Sequence, residues 1–149
     1  MNTSSVQRAT AIDNHIVTMA DTRPWITCHV LDTVAGKPAS GIKVHLEIDP
    51  KQDKTVFEGT TNSDGRVTSW SASSSTQDSL EEVLAGKKKT MPAGEQLAGS
   101  ITFFTEDYFG KGQTFYPYVT IPFWTNLDEA HYHVPLLLGP WSYTTYRGS

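Results

Sequence analysis

Five histidines are the residues of this sequence best suited to move protons near neutral pH. An unperturbed imidazole titrates at about 6.5, close to the pH at which a base or acid must work. His15 lies in a polar leader. His45 sits on the polar face of the alternating run Ile42-Lys43-Val44-His45-Leu46-Glu47-Ile48 and reads as a solvated surface residue. His29, His131 and His133 remain. In "HYHVPLLL" (131–138), a period of two places His131, His133, Pro135 and Leu137 on one face. Tyr132, Val134, Leu136 and Leu138 take the other, more apolar face and are expected to meet the core. The imidazoles then point outward, on a face that Pro135 and Leu137 keep partly apolar, so another subunit is expected to cover it. Two histidines at i and i+2, with His29 as a third ligand, could hold a metal. Spacing alone favours an ordinary hydrogen-bonded pair at a strand start.

Arg66 closes the turn "NSDGR" (62–66). Its rigid fork of donors suits planar, oxygen-rich ligands, although arginine after a surface turn means little by itself. The sequence closes on "YRGS", Tyr146 to Ser149, which brings a phenol, a guanidinium, a hydroxyl and a terminal carboxylate. No elbow surrounds Ser149, so it is not read as a nucleophile.

These groups need rigid elements to hold them. Eight short runs read as strands: "WITCHVLD", the run at Ile42–Ile48, "TVFEGTT", "VTSW", "SITFFTE", "YPYVTIPFW", "HYHVPLLL" and "WSYTTY". Turn signals such as "TVAGKPAS" and "NSDGR" separate them, a pattern of sandwiches and barrels. Pro117 and Pro122 within one run point to an edge strand or a bulge. The stretch from about Ser71 to Gly99 differs. Ser79 and Glu82 have capping-box spacing, Leu80, Val83 and Leu84 share a helical face, and Gly86 with Lys87 to Lys89 suits a helix end. A short helix over 79–86 in an insertion is expected.

With 149 residues, the chain suits one domain. Its net charge of −4 and four arginines (Arg8, Arg23, Arg66, Arg147) provide no basic field for nucleic acid. A lone cysteine, Cys28, excludes an intrachain disulfide and a multi-cysteine metal site, and fits a reducing compartment. No run approaches the roughly 20 apolar residues of a membrane span. Residues 1–23 read as a mobile leader without the apolar core of a secretory signal, ahead of a domain over 24–149. Within the leader, Arg8 and His15-Ile16 have the spacing of an N-terminal peroxisomal address, with Ala9 departing from it. A cytoplasmic or peroxisomal location is expected.

"HVLDTVAGKPA" (29–39), "SDGR" (63–66) and "HYHVPLLLGPWSYTTYRGS" (131–149), in that order, resemble the transthyretin-like family. The terminal "YRGS" resembles its hydrolytic members rather than its hormone carrier. The resemblance implies an all-β, eight-stranded β-sandwich of two four-stranded sheets with one or two short helices, "EDYFGKGQ" supplying one. It implies a homotetramer with sites in a channel at the dimer–dimer interface. It implies hydrolysis of a cyclic amide in 5-hydroxyisourate, a step of purine catabolism, with no organic cofactor and no metal. Carried over residue by residue, His29, Arg66 and His133 match the catalytic positions, and Tyr146, Arg147, Gly148 and Ser149 the substrate-binding tetrapeptide. Gly139 departs from the serine common there. Two other readings use the same residues differently. One is a non-catalytic small-molecule carrier on this sandwich. The other is a sugar- or protein-binding module presenting Trp25, Trp70, Trp124 and Trp141, which core or interface packing explains more simply.

Overall fold

Alternation decides which way each strand of this chain turns. The computed structural model describes residues 23–73 and 76–149. The peroxisomal-address segment Arg8–Ile16, and the leader apart from Arg23, lie outside the described residues. The first sheet holds β1 (Ile26–Asp32), β2 (Lys37–Pro38), β5 (Arg66–Val67), β9 (Tyr132–Leu138) and β10 (Tyr143–Thr145), in the order β10-β9-β1-β2 with β5 also pairing to β1. The second holds β3 (Lys43–Ile48), β4 (Thr55–Thr60), β6 (Ser71–Ala72), β7 (Leu97–Phe103) and β8 (Val119–Thr125), in the order β6-β4-β3-β7-β8. Ile26, Cys28 and Val30 of β1, Val44, Leu46 and Ile48 of β3, and Leu136 and Leu138 of β9 are buried between the sheets with Phe57, Ile101 and Phe103. The core face of the 131–138 run is the one its periodicity indicates.

Two five-stranded sheets replace the two four-stranded ones expected, and the extra segments are short. The "VTSW" run does not form one strand. Arg66–Val67 pairs with β1, the chain then crosses over, and Ser71–Ala72 pairs with β4 in the other sheet. At the crossing the Trp70 indole donates to the Ile26 carbonyl at 2.8 Å. The 33–36 turn folds the chain back so that Lys37–Pro38 pairs with the end of β1. Pro122 lies on β8, an edge strand, where its missing N–H interrupts no ladder on the open side.

Helix α1 (Leu80–Thr90) begins with the expected capping box. Ser79 Oγ accepts from the Glu82 N–H, and Glu82 Oε2 accepts from the Ser79 N–H. The helix continues past Gly86, because Lys87 turns back and reaches Asp49 at 2.9 Å and Asp53 at 3.2 Å beside β3. Residues Leu97 to Gly99 of the Ser71–Gly99 stretch belong to β7. Helix α2 (Thr105–Phe109) forms from the "EDYFGKGQ" region.

Asp32 ties α2 to the first sheet. It is buried at the end of β1 and accepts from the Ala35 N–H, the Val34 N–H and the Tyr108 hydroxyl, the last at 2.7 Å. Burial alone would raise its pKa; these three donors, with Lys37, outweigh burial and hold it below the ordinary carboxylate value. Burial and the same carboxylate push the Tyr108 phenol up to about 12. Since the folded pKa of Asp32 is depressed, its contribution is complete above the unfolded value of about 3.9 and is lost as pH falls through the folded one. Tyr108→Phe is expected to remove about 1.5–3 kcal/mol of unfolding free energy, as for a hydrogen bond to a charged group. Urea denaturation near neutral pH measures it; an unchanged midpoint would contradict the role given to this contact.

Candidate active site

Strands β1 and β9 run parallel and in register along their whole length. That pairing sets Thr27 beside His133 and His29 beside Pro135. Antiparallel pairing with β5 sets Arg66 beside His29. One outward sheet face therefore carries Thr27, His29, Arg66, His131 and His133. The "NSDGR" turn holds Arg66 in place. Asn62 Oδ1 accepts from the Asp64 and Arg66 N–H groups. Gly65 adopts φ +73°, and a Cβ there would stand 2.4 Å from the Val30 carbonyl oxygen. Only glycine lets the turn sit this close to β1.

The closing residues bend back over this face. The Thr145 hydroxyl donates to the Pro135 carbonyl at 2.8 Å, and the Gly148 N–H donates to the His133 carbonyl at 2.9 Å. A Cβ on Gly148 would lie 2.7 Å from His133 Cδ2 and 3.1 Å from Pro135 Cγ. Pro135, expected to face another subunit, is thus buried in part by this chain's own tail. Ser149 arrives at a cavity of about 280 Å³ shared with Arg66, His131, His133, Thr27, Thr68 and Arg23.

Arg147 and Tyr146 go elsewhere. The Arg147 guanidinium donates to Glu129 Oε2 at 2.6 Å and lies 5.3 Å over the Tyr132 ring. Tyr146 and Arg147 line a second, more aromatic cavity of about 470 Å³ with Phe123, Trp124 and Tyr132, and His133 borders it too. In this single chain the "YRGS" tetrapeptide therefore divides. Gly148 and Ser149 meet the histidine cavity, whereas Arg147 anchors the tail. His29 flanks the cavity, beside Arg66 and Pro135, rather than lining it.

The imidazoles are oriented. His131 Nδ1 donates to the Pro24 carbonyl at 2.7 Å. Thr27 Oγ1 lies 2.8 Å from His133 Nδ1 and 3.4 Å from His131 Nε2. Burial, and then the charges of Arg66, His131, His29 and Arg23, lower the His133 pKa below the ordinary imidazole value. At neutral pH His133 is uncharged and able to accept a proton. Arg66 offers charge to a developing oxyanion, and Ser149 and Thr68 offer hydroxyls. Among the described residues no three His, Cys, Asp or Glu side chains stand together as metal ligands.

Thr27, Thr68 and Arg23 were not picked out from the sequence. Thr27 was accessible to the same reasoning, since it stands two residues before His29 and so shares its face. Thr68 and Arg23 had no such signal. Their positions depend on the crossover after β5 and on how the chain enters β1.

A two-sheet sandwich with a histidine–arginine cluster on the outer face of one sheet defines a transthyretin-like protein. The chain belongs to the HIUase/Transthyretin family, whose model matches residues 26–148. It is 40% identical over 133 residues to the 5-hydroxyisourate hydrolase of Deinococcus radiodurans, covering 85% of this chain and 97% of that protein. It resembles the structure of Klebsiella pneumoniae 5-hydroxyisourate hydrolase with a TM-score of 0.57 and 27% identity, over 83% of this chain and 98% of that one. Sea bream transthyretin, solved with thyroxine, has a TM-score of 0.62 at 22% identity over 84% of this chain and 95% of that one, a likeness of fold.

Because the His133 pKa is depressed in the folded state, its stabilising contribution is present above the unfolded value of about 6.5 and declines as pH falls through the folded one. Gly148→Ala is expected to lift the tail from His133 and let water in. An NMR titration should then show the His133 pKa rising toward about 6.5 relative to the native chain. An unchanged titration would contradict the covering role of the tail.

Proposed function

We propose that this chain is a hydrolase that opens the six-membered ring of 5-hydroxyisourate in urate breakdown. The named relatives support the substrate, since 5-hydroxyisourate hydrolases match at 34–40% identity over most of the chain. The observation that carries the residue assignment is the convergence of His133, Arg66 and Ser149 on one small cavity. His133, neutral at working pH, takes a proton from water as the oxygen attacks the ring carbonyl. Arg66 stabilises the oxyanion, an interaction of a kind that contributes about 2.7–4 kcal/mol. The ring C–N bond then breaks, and the proton held by the imidazole system passes to the leaving nitrogen. Ser149, held by Gly148 against His133, positions substrate or water. His29, paired with Arg66 across the strands, flanks the site on the Arg66 side. Arg147 acts on substrate through the tail that it anchors, and Tyr146 borders the second cavity beside it.

The functional unit we propose is a homotetramer with the site at the junction of two dimers. Large aromatic side chains on and beside the edge strands β8 and β10 support it. Trp124 is 65% exposed, Trp141 67% and Phe115 70%, which in a lone chain leaves them against water. The outward sheet face with its histidines is then enclosed by a second dimer, which excludes water from the reaction. The chain is placed in the cytoplasm or the peroxisome, the latter on the Arg8–Ile16 segment. No described helix is long and apolar enough to cross a membrane. A carrier built on this sandwich would have no use for a neutral imidazole beside a guanidinium and a hydroxyl.

The test follows the ultraviolet decay of freshly generated 5-hydroxyisourate with and without the protein. His133→Asn is expected to reduce turnover by about 10²–10⁴-fold while the oligomer persists. Full turnover in that variant would end the assignment. The acid limb of the kcat/KM profile is expected below about 6.5, since His133 must lose its proton and burial makes that easier. An acid limb above that value would point to a different base.

A further inference from the structure

We infer that Thr27 and His131 form a relay that fixes the tautomer of His133 and takes up the proton it receives. This rests on the proposal that His133 is the base of the hydrolysis. The argument starts at the Pro24 carbonyl, which can only accept. His131 Nδ1, 2.7 Å away, must therefore carry a hydrogen. In neutral His131, Nε2 is then a bare acceptor. Among the described residues, the donor beside it is the Thr27 hydroxyl, at 3.4 Å. With its hydrogen directed there, Thr27 Oγ1 turns a lone pair to His133 Nδ1 at 2.8 Å, which must carry the hydrogen of that bond. His133 Nε2 is left unprotonated, with no partner among the described residues. A single carbonyl, acting through two side chains, makes Nε2 the basic atom.

The same chain can move charge. When Nε2 takes a proton from the attacking water, His133 becomes a cation close to Arg66 on β5, His131 just ahead of β9, His29 on β1 and Arg23 ahead of β1, all of which oppose charge on it. The His133 Nδ1 proton can pass to Thr27 Oγ1 as the Thr27 proton passes to His131 Nε2. His133 is neutral again, now with its hydrogen on Nε2. The positive charge rests on His131, whose Nδ1–H faces the Pro24 carbonyl. Reversal of both transfers returns the proton through His133 to the leaving nitrogen. Atoms and charge balance without any further reactant. Thr27 and His131 are positioning residues, acting on substrate only through His133.

The experiment compares the full-length native protein with Thr27→Val and Thr27→Ser. Two readouts are taken: nitrogen-15 NMR of the imidazoles above their titration range, and kcat and KM for 5-hydroxyisourate. The native protein is expected to show His131 and His133 with Nδ1 protonated and Nε2 bare. Thr27→Val keeps the side-chain shape. It is expected to shift His133 toward the Nε2–H form and lower kcat about 10-fold or more, with KM and melting temperature little changed. Thr27→Ser, which keeps the hydroxyl, is expected to restore both signatures. A native His133 protonated on Nε2, or a Thr27→Val enzyme with native kcat, would overturn the relay. A native protein that does not open 5-hydroxyisourate would overturn the proposed function instead, and the NMR result would still decide whether Thr27 sets the tautomer.

Discussion

The parallel, in-register pairing of β1 with β9 is the constraint on which the rest depends. These strands lie more than a hundred residues apart, and nearly every neighbouring contact in the sandwich is antiparallel. A shift of one residue between them would leave Thr27 opposite a core residue and break its contact with His133. Burial sets that register. Ile26, Cys28 and Val30 on one strand and Val134, Leu136 and Leu138 on the other must all face the second sheet. The hydrophobic core thus positions the polar groups of the opposite face, to which it contributes no atoms.

The second constraint is the tail. Its anchors lie on both sides of β9. Arg147 reaches Glu129 and the Tyr132 ring, and the Gly148 N–H and Thr145 hydroxyl bond to the strand's carbonyls. The exposed Arg147–Glu129 pair is worth little alone in water. Stacking on Tyr132 and the adjacent backbone bonds hold the guanidinium in one geometry. The result is a lid of fixed height over His133, which a methyl group at Gly148 would lift. Burial under this lid, with Arg66 nearby, keeps His133 uncharged.

Much of this was legible in the sequence because period-two patterning records burial directly. The 131–138 run declared its core and outer faces, and Ser79 with Glu82 declared the start of α1. What was not legible depends on partners remote in the chain. Nothing near "VTSW" indicates that only Val67 stays in a strand while the rest crosses to the other sheet; that follows from the pairing of Arg66–Val67 with β1 and of Ser71–Ala72 with β4. Nothing in "YRGS" says that Arg147 turns away, since Glu129 and Tyr132 decide it. The helix passing Gly86 depends on Asp49 and Asp53. His29 shares the expected face yet flanks the cavity, because Arg66 and Pro135 stand beside it.

Two cavities compete for the role of substrate site: His133 lines both, but Arg66, Thr27, His131 and Ser149 join it only in the smaller one, and not in the larger, more aromatic one. The most direct measurement is a crystal structure of the assembled protein with a planar oxidised-purine analogue that cannot be hydrolysed. The ring is expected between His133 Nε2 and the Arg66 guanidinium, with Ser149 in contact. An analogue seated against Trp124 and Tyr146, with Arg66 and Ser149 untouched, would contradict the account.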